Sequence, residues 1–182
     1  MLKKILIGLA VLILGFVVVV ALQPSEFQME RTTKIAAPAA DIFPLVNDFH
    51  KWEAWSPWAK LDPEAKIGFE GPAEGEGTVM TWSGNNMVGE GKMTLTESRP
   101  NELVKTRVDM VKPFAGSSTS DFTFKPEGDQ TSVTWSMAAH HNFVQKALCL
   151  VMGGKTMMSE LMDKGLAQMK AAVESRPSAR VN

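Results

Sequence analysis

Residues 118–139 read STSDFTFKPEGDQTSVTWSMAA, and this stretch sets the frame for the whole chain. Phe122 and Phe124 alternate with Asp121, Thr123 and Lys125, the period of two that a strand with one buried face requires. Pro126-Glu127-Gly128-Asp129 supplies a hairpin turn, and Gln130–Ala139 runs back as the partner strand. The same grammar recurs upstream. Lys66–Glu70 stops at Gly71-Pro72, Thr78–Ser83 at Gly84-Asn85-Asn86, Gly89–Ser98 at Pro100-Asn101, and Glu102–Val111 at Lys112-Pro113. Six strands in series with short turns form an antiparallel meander. Phe27, Met29, Arg31, Thr33 and Ile35 alternate with polar neighbours and add a seventh strand.

Helical signals lie on either side of the meander. Pro38 opens a short amphipathic helix carrying Ile42, Leu45 and Val46, which Asn47-Asp48 ends. His50 to Trp55 reads as a second short helix or turn, stopped by Ser56-Pro57. At the far end, Met158, Leu161, Met162, Gly165, Leu166, Met169, Ala172 and Val173 share one face of a long helix, Lys155–Glu174. Asn142–Met152 reads as a separate helix broken at Gly153-Gly154. Ser175 to Asn182 has no apolar period, and residues 176–182 are expected to be a disordered tail. The class is α+β: a bent seven-stranded antiparallel sheet around a long C-terminal helix.

The N-terminus is of another kind. Ile5 to Leu22 is a run of 18 residues without a charged or polar side chain. As a helix it is about 27 Å long, close to the hydrocarbon thickness of a bilayer. Lys3 and Lys4 precede it and would stay cytoplasmic, placing the body on the outer side. A signal peptide shares these features, but its apolar region is shorter, and the best small-x-small site here is Val19-Val20-Ala21. Residues 1–24 are therefore read as a single transmembrane anchor, with a cleaved signal peptide and a secreted body as the alternative. Both readings export residues 25–175. Gln23 to Glu26 reach at most about 14 Å, so a retained anchor holds the body against the membrane surface.

Composition narrows the function. The 182 residues carry 19 Lys and Arg against 20 Asp and Glu; without the first 24 residues the balance is 17 against 20. That is no field for nucleic acid. The single cysteine, Cys149, allows neither an intrachain disulfide nor a cysteine-based zinc cluster. There are 12 Met and no Tyr, which suits a pliable apolar surface better than a polar active site.

Local motifs add a resemblance. Asn47-Asp48-Phe49-His50-Lys51-Trp52-Glu53-Ala54-Trp55-Ser56-Pro57-Trp58 resembles the D-F-x-x-W-x-x-W-S-P-W segment of bacterial polyketide cyclase-like proteins of the START-like, or SRPBCC, superfamily. Trp82-Ser83-Gly84-Asn85, Val88-Gly89-Glu90-Gly91, Lys112-Pro113-Phe114 and Val133-Thr134-Trp135-Ser136-Met137 resemble later signatures. The similarity runs from about Phe27 to Val173. It implies a helix-grip fold and a hydrophobic or lipid-like ligand held between sheet and long helix. It does not by itself establish cyclase activity.

The expected cavity lining is Trp52, Trp55, Trp82, Met110, Phe122, Trp135, Met137, Met158, Leu161, Met162 and Met169. Core packing is the competing role for each. For catalysis the weak candidate is Glu90, between Gly89 and Gly91, where a sheet bend is the simpler reading. Glu97 and Asp109 also lie on strands, and Asp121 is expected to face water opposite Phe122 and Phe124. His140 and His141 are adjacent on a strand, point to opposite faces and cannot share a metal. No H-x-x-x-H, G-x-S-x-G or phosphate loop occurs, so neither metal nor cofactor is expected. The reading is an exported, membrane-tethered domain that binds a small hydrophobic or lipid-like molecule. A cyclase- or hydrolase-like enzyme acting on an apolar substrate and a non-catalytic envelope interaction domain are its rivals. The sequence selects no oligomeric state.

Overall fold

The computed structural model describes residues 1–175; the expected tail, 176–182, lies outside the described residues. The apolar run forms helix α1, Leu2–Leu22, and almost all of it is exposed. Strand β1 follows at Glu26–Ile35, then α2 at Ala39–Asn47 and a 3₁₀ segment at Phe49–Ala54. Strands β2 (Lys66–Glu70), β3 (Val79–Ser83), β4 (Glu90–Arg99), β5 (Leu103–Lys112), β6 (Gly116–Glu127) and β7 (Gln130–His140) form the meander. Helices α3 (Phe143–Met152) and α4 (Gly154–Glu174) close the described chain. The seven strands make one antiparallel sheet in the order β1-β7-β6-β5-β4-β3-β2. The expected α+β helix-grip architecture is what is observed.

Each boundary has a local cause. Gly128 takes a positive φ of 67° and leaves a two-residue turn between the paired Glu127 and Gln130, so both strands extend further than the breakers suggest. Asn142 caps α3 by accepting from the Gln145 amide N–H, while the Gln145 side chain accepts from the Asn142 N–H. Gly153, left-handed at φ 64°, ends α3 and lets α4 begin at once.

The register sorts the side chains into two faces. Ile35, Val133, Phe124, Phe122, Trp135, Val104 and Leu95 point inward and are buried. Helix α4 crosses them with Met162, Leu166, Met169 and Val173. The closest approach is at Gly165, where an added Cβ would lie 2.9 Å from the Trp135 ring and 3.0 Å from Pro57. Helix α4 is also tied to β1. Arg31 pairs with Asp163 at 3.2 Å and hydrogen-bonds the Ser159 hydroxyl. The Glu174 carboxylate accepts from the Ala36 N–H at 2.8 Å.

Gly165→Val should therefore push α4 off the sheet. The expected loss is about 1–3 kcal/mol of stability, the usual cost of overpacking a filled core, read as a lower denaturant midpoint. Wild-type stability in that variant would show that α4 does not rest on Trp135.

Candidate functional site

The eleven expected lining residues separate into two groups along the grip. The first fills the end where α2 and the 3₁₀ segment close the sheet. Trp55, Phe122, Trp135, Met162 and Met169 are at most 1 % exposed, and Trp52 is 5 % exposed. Trp55 meets Phe122 and Trp135 edge-on, with centroids 5.6 and 5.7 Å apart. The indole N–H groups are all matched. Trp52 donates to the Val46 carbonyl, Trp55 to the Leu45 carbonyl and Trp135 to the Ser120 hydroxyl, at 2.7–2.9 Å. These side chains are packed core, satisfied on both their apolar and polar atoms.

The second group lies toward the opposite end, where β1 begins and β7 ends. Trp82, Met110, Met137, Met158 and Leu161 are all half-buried. Met29, Met80 and Val108 join them on the inward face, packed against the core but not enclosed by it. Between them the inner face carries small side chains: Gly116 opposite Met110, Ser118 opposite Val108 and Ala139, and Ser120 opposite Met137. This gives an apolar, Met-rich floor on the inner face whose side chains are only half-covered. Met29, Met80, Val108 and the small residues are additions to the expected set. The signal for the small residues was present in Gly116-Ser117-Ser118-Thr119-Ser120, whose even positions must face inward once Phe122 does.

The ionisable candidates lie elsewhere. Glu90 stands in the outward register, paired with the Lys112 ammonium at 2.7 Å beside a bulge at Glu90/Gly91. With Trp82, Gly91 and Lys92 it borders a surface groove of about 550 Å³ that lies mostly on outward-facing residues. Glu97 is held below the usual carboxylate range by a hydrogen bond from Lys105. Asp109 is lowered in the same way by Ser117, helped by Arg107. His140 pairs with Glu26 at 2.8 Å, whereas His141 stacks on Phe27 with centroids 5.1 Å apart. Burial, then the neighbouring His140 and Lys155, pushes the His141 pKa down. Of these groups it is the one stacked on an apolar ring. Among the described residues no three His, Cys, Asp or Glu side chains converge as a metal site would need.

Asp121 departs from expectation. It does sit on the outer face opposite Phe122, but the side chains around it screen it from water. It lines a groove of about 300 Å³ with Gln28, Glu30, Thr119, Ser136 and Ala138, and its Oδ1 is buried without a hydrogen-bond partner. Burial raises its pKa and Glu97 adds to the rise, against the pull of Lys105. Alternation fixes the face of a residue, not how far its neighbours cover it.

The model of the family described as "Polyketide cyclase / dehydrase and lipid transport" matches residues 26–174. The chain belongs to that family. Membership supports a hydrophobic-ligand-binding domain, in agreement with the Met-rich floor. No curated protein sequence matches this one significantly. Solved structures share the fold. Protein CV1439 from Chromobacterium violaceum has a TM-score of 0.56 at 13 % identity, over 85 % of this chain and 100 % of its own. The di-domain ARO/CYC StfQ of the steffimycin biosynthetic pathway reaches 0.62 at 13 % identity, over 83 % of this chain and 51 % of its own. The di-domain ARO/CYC BexL of the BE-7585A pathway reaches 0.61 at 15 % identity, over 87 % and 53 %.

The raised pKa of Asp121 has a definite sign for stability. Folding favours the protonated acid, so the stabilising contribution is complete below the unfolded-state pKa, about 3.9, and is lost as pH rises through the folded value. Asp121→Asn should leave stability unchanged near pH 4. It should raise stability at pH 7 by about 0.5–1 kcal/mol, a buried-acceptor effect discounted for partial exposure. Denaturant midpoints across pH 4–8 check this, and a gain independent of pH would refute it.

Proposed function

We propose that this family member is an exported domain, held to the membrane by residues 5–22, that takes up a small hydrophobic or lipid-like molecule between sheet and α4. The observation that carries this reading is the burial gradient inside the grip. The tryptophan end is filled and hydrogen-bonded. The other end leaves Trp82, Met110, Met137 and Met158 half-covered on an inward apolar face. A folded domain gains roughly 25 cal/mol for each Å² of such surface removed from water. A ligand that covers the face supplies the burial the chain itself does not. Methionines suit the task because their flexible thioethers adapt to ligands of differing shape.

Export follows from Lys3 and Lys4 ahead of the apolar run, and retention from its length. The structural neighbours named ARO/CYC and the cyclase in the family description support a cyclase-like enzyme as a second reading. It has less support from the side chains, because Glu90, Glu97 and Asp109 are all turned outward. His141 would be the acid–base group to test in that case.

The experiment is to purify the full chain from membranes in mild detergent and examine it by native mass spectrometry. A bound apolar molecule near one per chain is expected. Met137→Glu places a charge on the open floor and should abolish that adduct while the near-ultraviolet dichroism of the tryptophan cluster is kept. A chain that carries no adduct, and whose Trp82 region answers to no added fatty acid or polyketide-like probe, would overturn the proposal.

A further inference from the structure

Exposed apolar side chains are distributed unevenly over the domain. The strand register defines two ends. At one, which can be named the anchor end, α1 leaves, β1 begins and β7 finishes. The turns at residues 84–89, between β3 and β4, and at residues 113–115, between β5 and β6, lie there too. At the other lie the turns around Gly128, Asn101 and Gly75. Met87 in the first anchor-end turn is 71 % exposed and Phe114 in the second is 51 % exposed. Val144, Val151 and Met152 of α3 are 58, 70 and 67 % exposed. Among the described residues after α1, Phe69 of the edge strand is the large exposed apolar side chain that belongs neither to this end nor to the first turn of α4; the exposed Ile67 pairs with Trp82 near this end.

Helix α3 is the clearest case. No residue in it is buried. Phe143, Val144, Ala147, Leu150 and Val151 recur at helical spacing and form one stripe without a polar side chain. In a soluble domain such a stripe faces the core; here much of it faces outward. The only charged residue of the helix, Lys146, is turned aside. Its ammonium donates to the Gln23 carbonyl at 3.0 Å and the Ala21 carbonyl at 3.3 Å, at the end of α1. The Gln145 amide donates to the Ala115 carbonyl at 3.3 Å, which ties α3 to the turn that carries Phe114. The apolar stripe is thus fastened beside the point where the apolar helix ends.

We propose that the anchor end is a membrane-docking face. Helix α3, about 15 Å long, lies in the interface with its stripe against the acyl chains, and the turns bearing Phe114 and Met87 rest on the same surface. The proposal rests on the reading of α1 as a retained span. Lipid is the fitting partner because the apolar groups come from three separate segments at one end, continuous with α1, and a tether of Gln23 to Ser25 permits no withdrawal. The face also contains the half-covered Met-rich floor. A ligand could then pass between bilayer and grip without crossing water.

The test uses the full chain in vesicles of phosphatidylethanolamine and phosphatidylglycerol, three to one. In a Cys149→Ser background, nitroxide labels are placed singly through Val151→Cys on α3, Lys164→Cys on the exposed side of α4 and Val11→Cys in α1. Collision with oxygen and with a water-soluble nickel chelate is measured by power saturation. The label at 151 is expected to favour oxygen and lose most of its nickel collisions, as at 11, whereas the label at 164 favours nickel. A label at 11 in hydrocarbon with the label at 151 in water overturns docking alone. A label at 151 shielded from both reagents means that protein covers the stripe, and also overturns it. A label at 11 in water removes the anchor reading and the proposal together. Combining Val144→Glu and Val151→Glu should return a label placed through Phe114→Cys to water, with the dichroism of the tryptophan cluster unchanged. If that label keeps its oxygen preference, α3 is not what holds the face down.

Discussion

The contact on which the rest depends is the approach of Trp55 to Trp135 beneath Gly165. Trp55 is wholly buried, meets Trp135 and Phe122 edge-on, and gives its indole N–H to the Leu45 carbonyl near the end of α2. One side chain thereby joins the segment after β1 to the inner face of β6 and β7. Trp135 completes the link upward, because the missing side chain at Gly165 lets α4 settle on its ring. Sheet, short helices and long helix meet at this point. A smaller ring would leave a cavity, and a larger residue at 165 would lift the helix.

Closing the grip at one end has a consequence for the other. A helix held down at Gly165 and tied by Glu174 to Ala36 is fixed along its second half. Its first turns, ahead of the buried Met162, carry Met158 against the core and are tied to the edge strand β1 by Arg31, which reaches Ser159 and Asp163. Those partners are exposed or half-exposed, and such pairs contribute little to stability. The inner face beneath them bears Ser118, Ser120, Gly116 and Ala139, too small to fill the space as Phe122 and Trp135 do further along. The core therefore thins toward the anchor end, and the Met side chains at its margin stay half-covered.

Much of the fold was legible in the sequence because its signals are local. Alternation from Phe27 to Ile35 and from Phe122 to Phe124 assigns faces, and Gly128, Asn142 and Gly153 mark boundaries through turn and cap chemistry. The signature around Trp52, Trp55 and Trp58 carries the resemblance to the family to which residues 26–174 belong. The candidate site was legible only in part, and the reason is geometric. Periodicity tells inward from outward but carries no coordinate along the strand. Trp55 and Trp82 look alike in the sequence, yet one is sealed in the core and the other is at the open end. Depth depends on where α4 crosses, a long-range property set by Gly165 and Trp135 together. Asp121 shows the same limit from outside: alternation gives its face, but its cover depends on Lys105 and Ser136, which flank it only once the strands pair.

The outward stripe of α3 follows from these constraints. Strand β7 ends at the anchor end, so the chain must turn there before α4 can run back over the sheet. A polar loop of a few residues would make that turn. Instead the chain uses a ten-residue apolar helix with a capping box at its start and a left-handed glycine at its end. Both ends are specified by side chains that fix local geometry, so the helix is a defined element and not a frayed extension of α4. Facing water, its Phe143, Val144, Leu150 and Val151 would be a solubility liability. On the proposed docking beside α1, the same residues would be a second point of attachment. Two attachments restrict the rotation that a single helix and a three-residue tether would still allow. In that arrangement the thin end of the core would lie against the bilayer, and the sealed tryptophan end away from it.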